Sequence, residues 1–391
     1  MRKYASVVAA LSASFGLVDA APCSGSAPLL FVAAYEGQVT TLQLGESTLQ
    51  TLSTSDGCGP YPSWLTQAGD ILYCINEAWP DPTGSLSSLK IGNSGALTQL
   101  NSIPTLPGPV SIAVYGNNSR GVAVANYGGE GINTYDVSDP TAIVALQSDT
   151  FPKPDESSPY EQQTQSRPHQ AVLDPTGDFL LFPDLGSDLL RVFKVDQETL
   201  SYTELNAHQL ERGTGPRHAT FFVAESKTFL YVVTELANTI IGFEVTYSDD
   251  GLSLSEVYSS NTHGGTDPLP EEAKAAEITV SPDNKFLTVS SRLESSQEFT
   301  LANGTTVPSD PLITFSIDAE TGKLTHVQTA PAGGINPRHF SFNKDGTRVA
   351  SALQDDSRVV VFERDVATGE IGKALAETSI TGLPNFVMFK Q

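Results

Sequence analysis

Gly215-Pro-Arg-His-Ala-Thr-Phe-Phe-Val-Ala-Glu-Ser-Lys-Thr-Phe-Leu-Tyr-Val232 and Asn336-Pro-Arg-His-Phe-Ser-Phe-Asn-Lys-Asp-Gly-Thr-Arg-Val-Ala350 are two copies of one phrase: a short apolar strand, a polar turn and a second strand. The segments that open at Arg167-Pro-His169 and Ala276-Glu277 follow the same grammar, and weaker copies begin at Pro62, Pro109 and Pro384. Taking positions 62, 109, 168, 216, 276, 337 and 384 as equivalent gives steps of 47, 59, 48, 60, 61 and 47 residues. Seven units of that length fit four-stranded propeller blades. Third strands are legible at 189–195, 239–245, 312–317 and 358–362, all rich in β-branched and aromatic residues. The last copy stops after one strand, and its missing strands are the first ones of the chain, 29–34 and 39–44. The expected fold is therefore all-β, a seven-bladed β-propeller with four-stranded antiparallel blades, closed by both termini so that no sheet edge is left open. Two stacked sandwich domains are the rival, but no linker or composition shift divides residues 21–391, which read as a single domain. The densest helical candidate, 270–276, is too short to build a layer.

The chain of 391 residues has 45 acidic and 22 basic side chains, a net charge of -23. Such a field repels nucleic acid and anionic membranes, so neither is an expected partner, and an anionic ligand needs a local cluster of Arg and His. Arg2 and Lys3 precede an apolar run ending at Val18-Asp19-Ala20, the pattern of a signal peptide over 1–20 and of a secreted, extracellular or cell-wall-associated product. No later run has the ~20 apolar residues that membrane insertion requires. Asn117-Asn118-Ser119 and Asn303-Gly304-Thr305 are N-glycosylation sequons in turn-like stretches. Of three cysteines, Cys58 and Cys74 are the expected disulfide, with Cys23–Cys58 as the alternative, and their spacing carries no zinc signature.

In a propeller blade the start of the innermost strand and the end of the second lie at one end of the channel. Strand-one starts supply Arg167, His169, Arg217, His218, Glu277, Arg338, His339 and Asn385; strand-two ends supply Glu77, Asn126, Asp184, Glu235, Arg292 and Gln354. His169, Arg217, Glu235 and Arg292 form the expected functional cluster: two guanidinium forks suited to carboxylates, and two groups able to move a proton. Arg338, His339, His218 and Glu277 are the expected substrate-binding residues, although a repeat can also keep His218 and His339 to stitch blades together, and buried ion pairs that lock blades are the bland alternative for the whole cluster. A Gly-x-Ser-x-Gly elbow, a Walker A loop, a dinucleotide fingerprint and His-Glu-x-x-His are all absent. Tyr127-Gly-Gly-Glu-Gly131 reads as a turn, and Asp249-Asp250 and Asp355-Asp356 read as solvated turns before they read as cation sites. No cofactor and no metal are expected.

Arg167-Pro-His169, Gly215-Pro-Arg-His218, Thr234-Glu235, Ala276-Glu277, Ser291-Arg292 and Asn336-Pro-Arg-His339 together resemble the seven-bladed lactonase family, which includes 6-phosphogluconolactonases of bacterial type and fungal 3-carboxy-cis,cis-muconate cyclases. The resemblance to the secreted fungal members implies a cofactor-independent cycloisomerase that closes a lactone on a muconate-type polycarboxylate. In that reading Arg217 and Arg292 hold carboxylates, and His169 or Glu235 moves the proton. The alternatives are a lactone hydrolase and a non-enzymatic secreted propeller used for binding, adhesion or as a surface antigen. A small anionic or lactone substrate is the expected partner of the first two, and the oligomeric state stays open.

Overall fold

Proline lacks the N–H that a strand interior donates, so it belongs at the first position of a strand or at a bulge. The computed structural model, which describes residues 27–78, 82–152, 158, 160–248 and 251–391, uses six repeat prolines in this way. Pro62, Pro109, Pro168, Pro216, Pro337 and Pro384 pair with Asn76, Asn126, Asp184, Thr234, Leu353 and Ala34 of the neighbouring strand. The expected leader, Cys23 and Asp249-Asp250 lie outside the described residues.

Each proline opens the innermost strand of a blade or the short stretch leading into it. Blade 1 joins Leu383–Phe389 to Leu29–Tyr35, Val39–Leu44 and Leu49–Ser55, so the two ends of the chain pair in one sheet. Blade 2 runs Pro62–Ala68, Ile71–Asn76, Ser85–Ile91 and Leu97–Pro104; blade 3 runs Pro109–Tyr115, Gly121–Asn126, Gly131–Asp136 and Val144–Thr150. Blade 4 contains Val172–Leu173, Phe179–Asp184 and Leu189–Val195, with its outer strand broken into Tyr202–Glu204 and His208–Gln209. Blade 5 comprises Pro216–Val223, Thr228–Thr234, Thr239–Ser248 and Gly251–Asn261; blade 7 comprises Pro337–Phe342, Arg348–Leu353, Arg358–Arg364 and Ile371–Ser379. Blade 6 is Lys274–Val280, Phe286–Arg292, Pro311–Ile317 and Leu324–Pro331, interrupted by a hairpin of Gln297–Thr300 and Thr306–Ser309 that accounts for one of the long repeat steps.

Packing is radial. Seven apolar clusters fill the seven gaps between adjacent blades: Leu30, Val32, Val359 and Val361 between blades 7 and 1, and Phe229, Tyr231, Leu287 and Phe315 between blades 5 and 6, for example. At ~25 cal/mol per Å² of apolar surface removed from water, each gap is a separate hydrophobic contribution, and the ring is as strong as its least-filled gap. Cys58 and Cys74 are disulfide-bonded with Cα atoms 5.8 Å apart, beside the gap between blades 1 and 2. Asn117 is exposed at the start of a short 3-10 helix, Asn117–Ser119, and Asn303 is exposed in a turn; among the described residues no helix is long and apolar enough to cross a membrane.

Candidate functional site

The register that starts each blade also aims the site residues. After Pro62, Pro109, Pro216, Pro337 and Pro384 the ladder slips by one, leaving Ser63, Val110, Arg217, Arg338 and Asn385 as extra residues opposite no partner. A bulge of this kind re-aims a side chain without breaking the sheet. On the second strand, the residue after each proline's partner stands at the channel mouth. These residues are Tyr35, Glu77, Tyr127, Leu185, Glu235 and Gln354 in blades 1, 2, 3, 4, 5 and 7.

Arg217, Glu235 and Arg292 meet in one ionic cluster. Arg217 Nε donates to Glu235 Oε2 at 2.8 Å, and Arg292 Nη2 lies 3.1 Å from the same oxygen. Further arginine donors go to backbone: Arg217 Nη1 to Ala276 O at 2.8 Å, Arg292 Nε to Lys274 O and Nη2 to Ala275 O. Burial alone would raise the Glu235 carboxyl, but Arg292, Arg217 and Arg338 outweigh it and hold the group below the usual carboxylate range. Burial and the neighbouring Arg292, against the pull of Glu235, bring Arg217 down to about 9.

Beneath this cluster, His169, His218, Glu277 and His339 form a buried chain across blades 4 to 7. His169 Nδ1 is 3.2 Å from His218 Nε2, His218 Nδ1 is 3.1 Å from Glu277 Oε2, and His339 Nε2 is 3.3 Å from that oxygen. Glu277 Oε1 accepts the Ile278 N–H at 3.1 Å. Trp64 presents its ring edge-on to His218 and His339 at 5.4 Å each, and Phe386 stacks on His339 at 3.8 Å. Burial, and after it Arg217, holds His169 and His218 well below the ordinary imidazole range and brings His339 to about 3. Burial raises Glu277 to about 8, against a smaller opposing pull from Arg217.

An axial cavity of about 370 Å³ opens on the other side of the mouth, over blades 7, 1, 2 and 3, walled by Tyr35, Glu36, Tyr61, Glu77, Gly108, Tyr127, Gly128, Arg338 and Leu383. Tyr35 donates its hydroxyl to Glu77 Oε2, and the Arg338 guanidinium lies 5.8 Å from the Tyr35 ring centroid. Burial raises the Glu77 carboxyl, while Arg338 and the Tyr35 hydroxyl pull against it. Arg338 stays firmly charged: burial opposes the charge, but Tyr35, Glu77, Glu235 and Tyr127 outweigh it. Tyr127 connects the two sides, its ring edge-on to His169 at 5.5 Å and under the Arg167 guanidinium at 4.4 Å. A larger cavity of about 590 Å³ lies off the axis between blades 4 and 5, lined by Asp188, His208 and Glu256 among others. It contains none of the channel-mouth cluster, and Asp188 there is committed to the Gly213 and Gly215 N–H groups.

The structure thus brings Arg217, Glu235 and Arg292 together, sets His169 beside Tyr127, and puts Arg338 in the cavity wall. His169, Arg217 and Arg292, like His218, Glu277 and His339, are buried, Glu235 is part-buried, and none of them lines the axial cavity; of the expected catalytic and substrate-binding residues Arg338 alone stands in its wall. Tyr35 and Tyr127 were absent from the sequence-derived site. Their signal was available: each follows the partner of a repeat proline, the position that Glu235 occupies in blade 5. Among the described residues no group of three or more His, Cys, Asp or Glu is arranged to hold a metal ion.

The profile of the family described as "Lactonase, 7-bladed beta-propeller" matches residues 29–389, and the chain belongs to that family. It is 33% identical over 313 residues, 79% of this chain and 75% of the relative, to the "Probable 6-phosphogluconolactonase" of Arthroderma benhamiae. The 6-phosphogluconolactonase of Bacillus subtilis is 27% identical over 303 residues, 77% of this chain and 79% of the relative. The solved structure of the periplasmic gluconolactonase of Pseudomonas aeruginosa shares the fold, with a TM-score of 0.76, 24% identity, and coverage of 94% of this chain and 99% of that one. These relatives overturn the expectation of a muconate cycloisomerase, because they are named for opening a lactone ring and not for closing one. The comparisons also lend nothing to export or to sugar attachment at Asn117 and Asn303.

Proposed function

We propose that this lactonase-family propeller hydrolyses an aldonolactone, of the type of 6-phosphoglucono- or glucono-δ-lactone, at the axial cavity. The observation that carries this reading is the placement of one charged arginine, Arg338, in the wall of a tyrosine-lined cavity, with a neutral imidazole, His169, packed against the wall residue Tyr127. Tyr35, Tyr61 and Tyr127 offer apolar faces to a sugar ring, and Glu77 accepts from its hydroxyls. Arg338 donates to the lactone carbonyl and to the oxyanion that develops there. The attacking water passes its proton to His169 as its oxygen bonds to the carbonyl carbon; collapse then breaks the ester bond, and the same proton returns to the departing ring oxygen. Glu235 binds Arg217 and Arg292 in place and so fixes the positive wall beside the cavity.

The test is alkali uptake at constant pH with 6-phosphoglucono-δ-lactone and glucono-δ-lactone as separate substrates. Ring opening well above the spontaneous rate with at least one of them, reduced ~100-fold in His169→Ala, is the expected result. If neither lactone opens faster with the folded protein than without it, the assignment is wrong.

A further inference from the structure

The lactone-hydrolase reading gives His169 a proton to accept, yet an imidazole this buried and this close to Arg217 is a poor place to leave a positive charge. The geometry behind His169 offers another destination. Its Nδ1 meets His218 Nε2 at 3.2 Å, and His218 Nδ1 meets Glu277 Oε2 at 3.1 Å, so one hydrogen-bonded line runs from the imidazole behind Tyr127 to a carboxyl 3% exposed. Arg217 Nη1 lies 3.2–3.3 Å from both His218 ring nitrogens, which puts it over the ring face and leaves the in-plane lone pair and N–H to the chain.

Proton counting allows this line two states. In one, Glu277 is a carboxylate, His218 carries its proton on Nδ1, His169 carries its proton on Nδ1, and His169 Nε2 has a lone pair. In the other, Glu277 is protonated, and both imidazoles carry their protons on Nε2. We propose that His169, His218 and Glu277 form a proton relay in which Glu277 is the final acceptor of the proton released by the attacking water. As the water oxygen bonds to the carbonyl carbon, its proton goes to His169 Nε2; the His169 Nδ1 proton passes to His218 Nε2, and the His218 Nδ1 proton to Glu277. No imidazolium is formed, and the negative charge moves from Glu277 to the lactone oxyanion. Collapse runs the relay backwards and delivers the proton to the ring oxygen.

Glu277 is a positioning residue, acting on the substrate only through the two imidazoles. The charged and titratable groups around it are His218 and Arg217 of blade 5, His339 of blade 7 and, through His218, His169 of blade 4. Its carboxyl, raised to about 8 by burial, takes up a proton near neutrality where the histidines do not. The relay is ready only when Glu277 is ionised, so turnover rises with pH through about 8.

Two measurements test this. Infrared difference spectra of the whole protein, taken between about pH 6 and pH 10, need no substrate. They should show a buried protonated-carboxyl band that disappears through about pH 8 and is missing from Glu277→Gln. No such band, or the same band in the variant, overturns the relay whatever the enzyme's substrate. With the lactone that the enzyme opens, Glu277→Gln should lose the limb near pH 8 and ~100-fold in kcat with KM little changed, Glu277→Asp should recover part of both, and wild-type rates in H₂O/D₂O mixtures should fall along a curve, as several protons in flight require. A Glu277→Gln enzyme with the wild-type pH profile, or a straight-line isotope dependence, overturns it. Failure of every lactone with the infrared band present instead removes the substrate assignment alone.

Discussion

The two sides of the channel mouth solve opposite problems. Over blades 4 to 6, arginine, glutamate and histidine side chains are packed against one another and the backbone: Arg217 holds Glu235 and Ala276 O, and Arg292 holds Glu235, Lys274 O and Ala275 O. Over blades 7, 1, 2 and 3, tyrosines and backbone turns stand back from the axis and leave about 370 Å³ open, with Arg338 balanced at a distance by Tyr35 and Glu77. The residues richest in charge are therefore not the ones facing the cavity. Charge density in the sequence marks the supporting side, while a bulge aims one arginine on each side, Arg217 into the ionic cluster and Arg338 into the cavity wall.

Replacing Arg217 and Arg338 separately should break this contrast if it is false. Arg217→Met leaves the Ala276 carbonyl without its donor and removes one of the two guanidinium partners of Glu235, so it should cost about 3–5 kcal/mol of stability, read from denaturant midpoints. A loss below ~1 kcal/mol would mean that the ionic side is not structural. Next in size, Arg338→Met should lower kcat/KM on the opened lactone by ~100-fold while leaving the unfolding free energy within ~1 kcal/mol of wild type. If stability and activity fell together in both variants, the two sides would be one site.

How much of this contrast was legible beforehand depends on the kind of signal. Pro216-Arg217-His218 and Pro337-Arg338-His339 repeat visibly, because the bulge that aims each arginine needs a proline at the strand start and an extra residue after it. Ring closure by 384–390 and 29–44 was legible for the same reason: a repeat that ends one strand into a unit must be completed from elsewhere. Tyr35 and Tyr127 were missed since their blades carry no charge at the mouth position, and Tyr127 sits in a glycine-rich turn that a turn alone explains. The break in the outer strand of blade 4 left no trace in the pattern, for Tyr202–Glu204 and His208–Gln209 are too short to show alternation. The substrate was misread because the arginines that suggest a polycarboxylate spend their donors on Glu235 and on backbone carbonyls.

The pH dependence of stability sharpens the same contrast, since its main contributors lie on the closed side. His169 and His218 are held well below the ordinary imidazole value near 6.5, so the unfolded chain takes up protons first, and stability falls as pH drops through that value. Glu277 works the other way. Its folded carboxyl is raised to about 8 from an ordinary 4.5, so the unfolded chain releases the proton first; the stabilisation is full below 4.5 and is lost as pH rises towards 8. Between about pH 6.5 and pH 8 wild type should lose stability with rising pH, and Glu277→Gln should be flatter. Chemical denaturation at a series of pH values measures both slopes, and parallel curves would place the titrating group elsewhere.

The smallest effect is expected at the open side, in Tyr35→Phe. The Tyr35 hydroxyl donates to Glu77, and this bond holds the carboxylate against the cavity wall. Removing it leaves the aromatic face in place, so sugar stacking should survive and stability should change by only about 1 kcal/mol, the net worth of one part-buried hydrogen bond. Glu77 also loses a group that favours its ionised form, so its carboxyl should rise further and accept less well from a substrate hydroxyl near neutral pH. KM should therefore increase, by roughly 3- to 10-fold, with kcat nearly unchanged, because the contact is made equally in the ground state and the transition state. Steady-state kinetics on the opened lactone distinguish the outcomes. A fall in kcat with constant KM would move Glu77 and Tyr35 from binding into the proton-transfer step, and the open side would then share the chemistry assigned to His169.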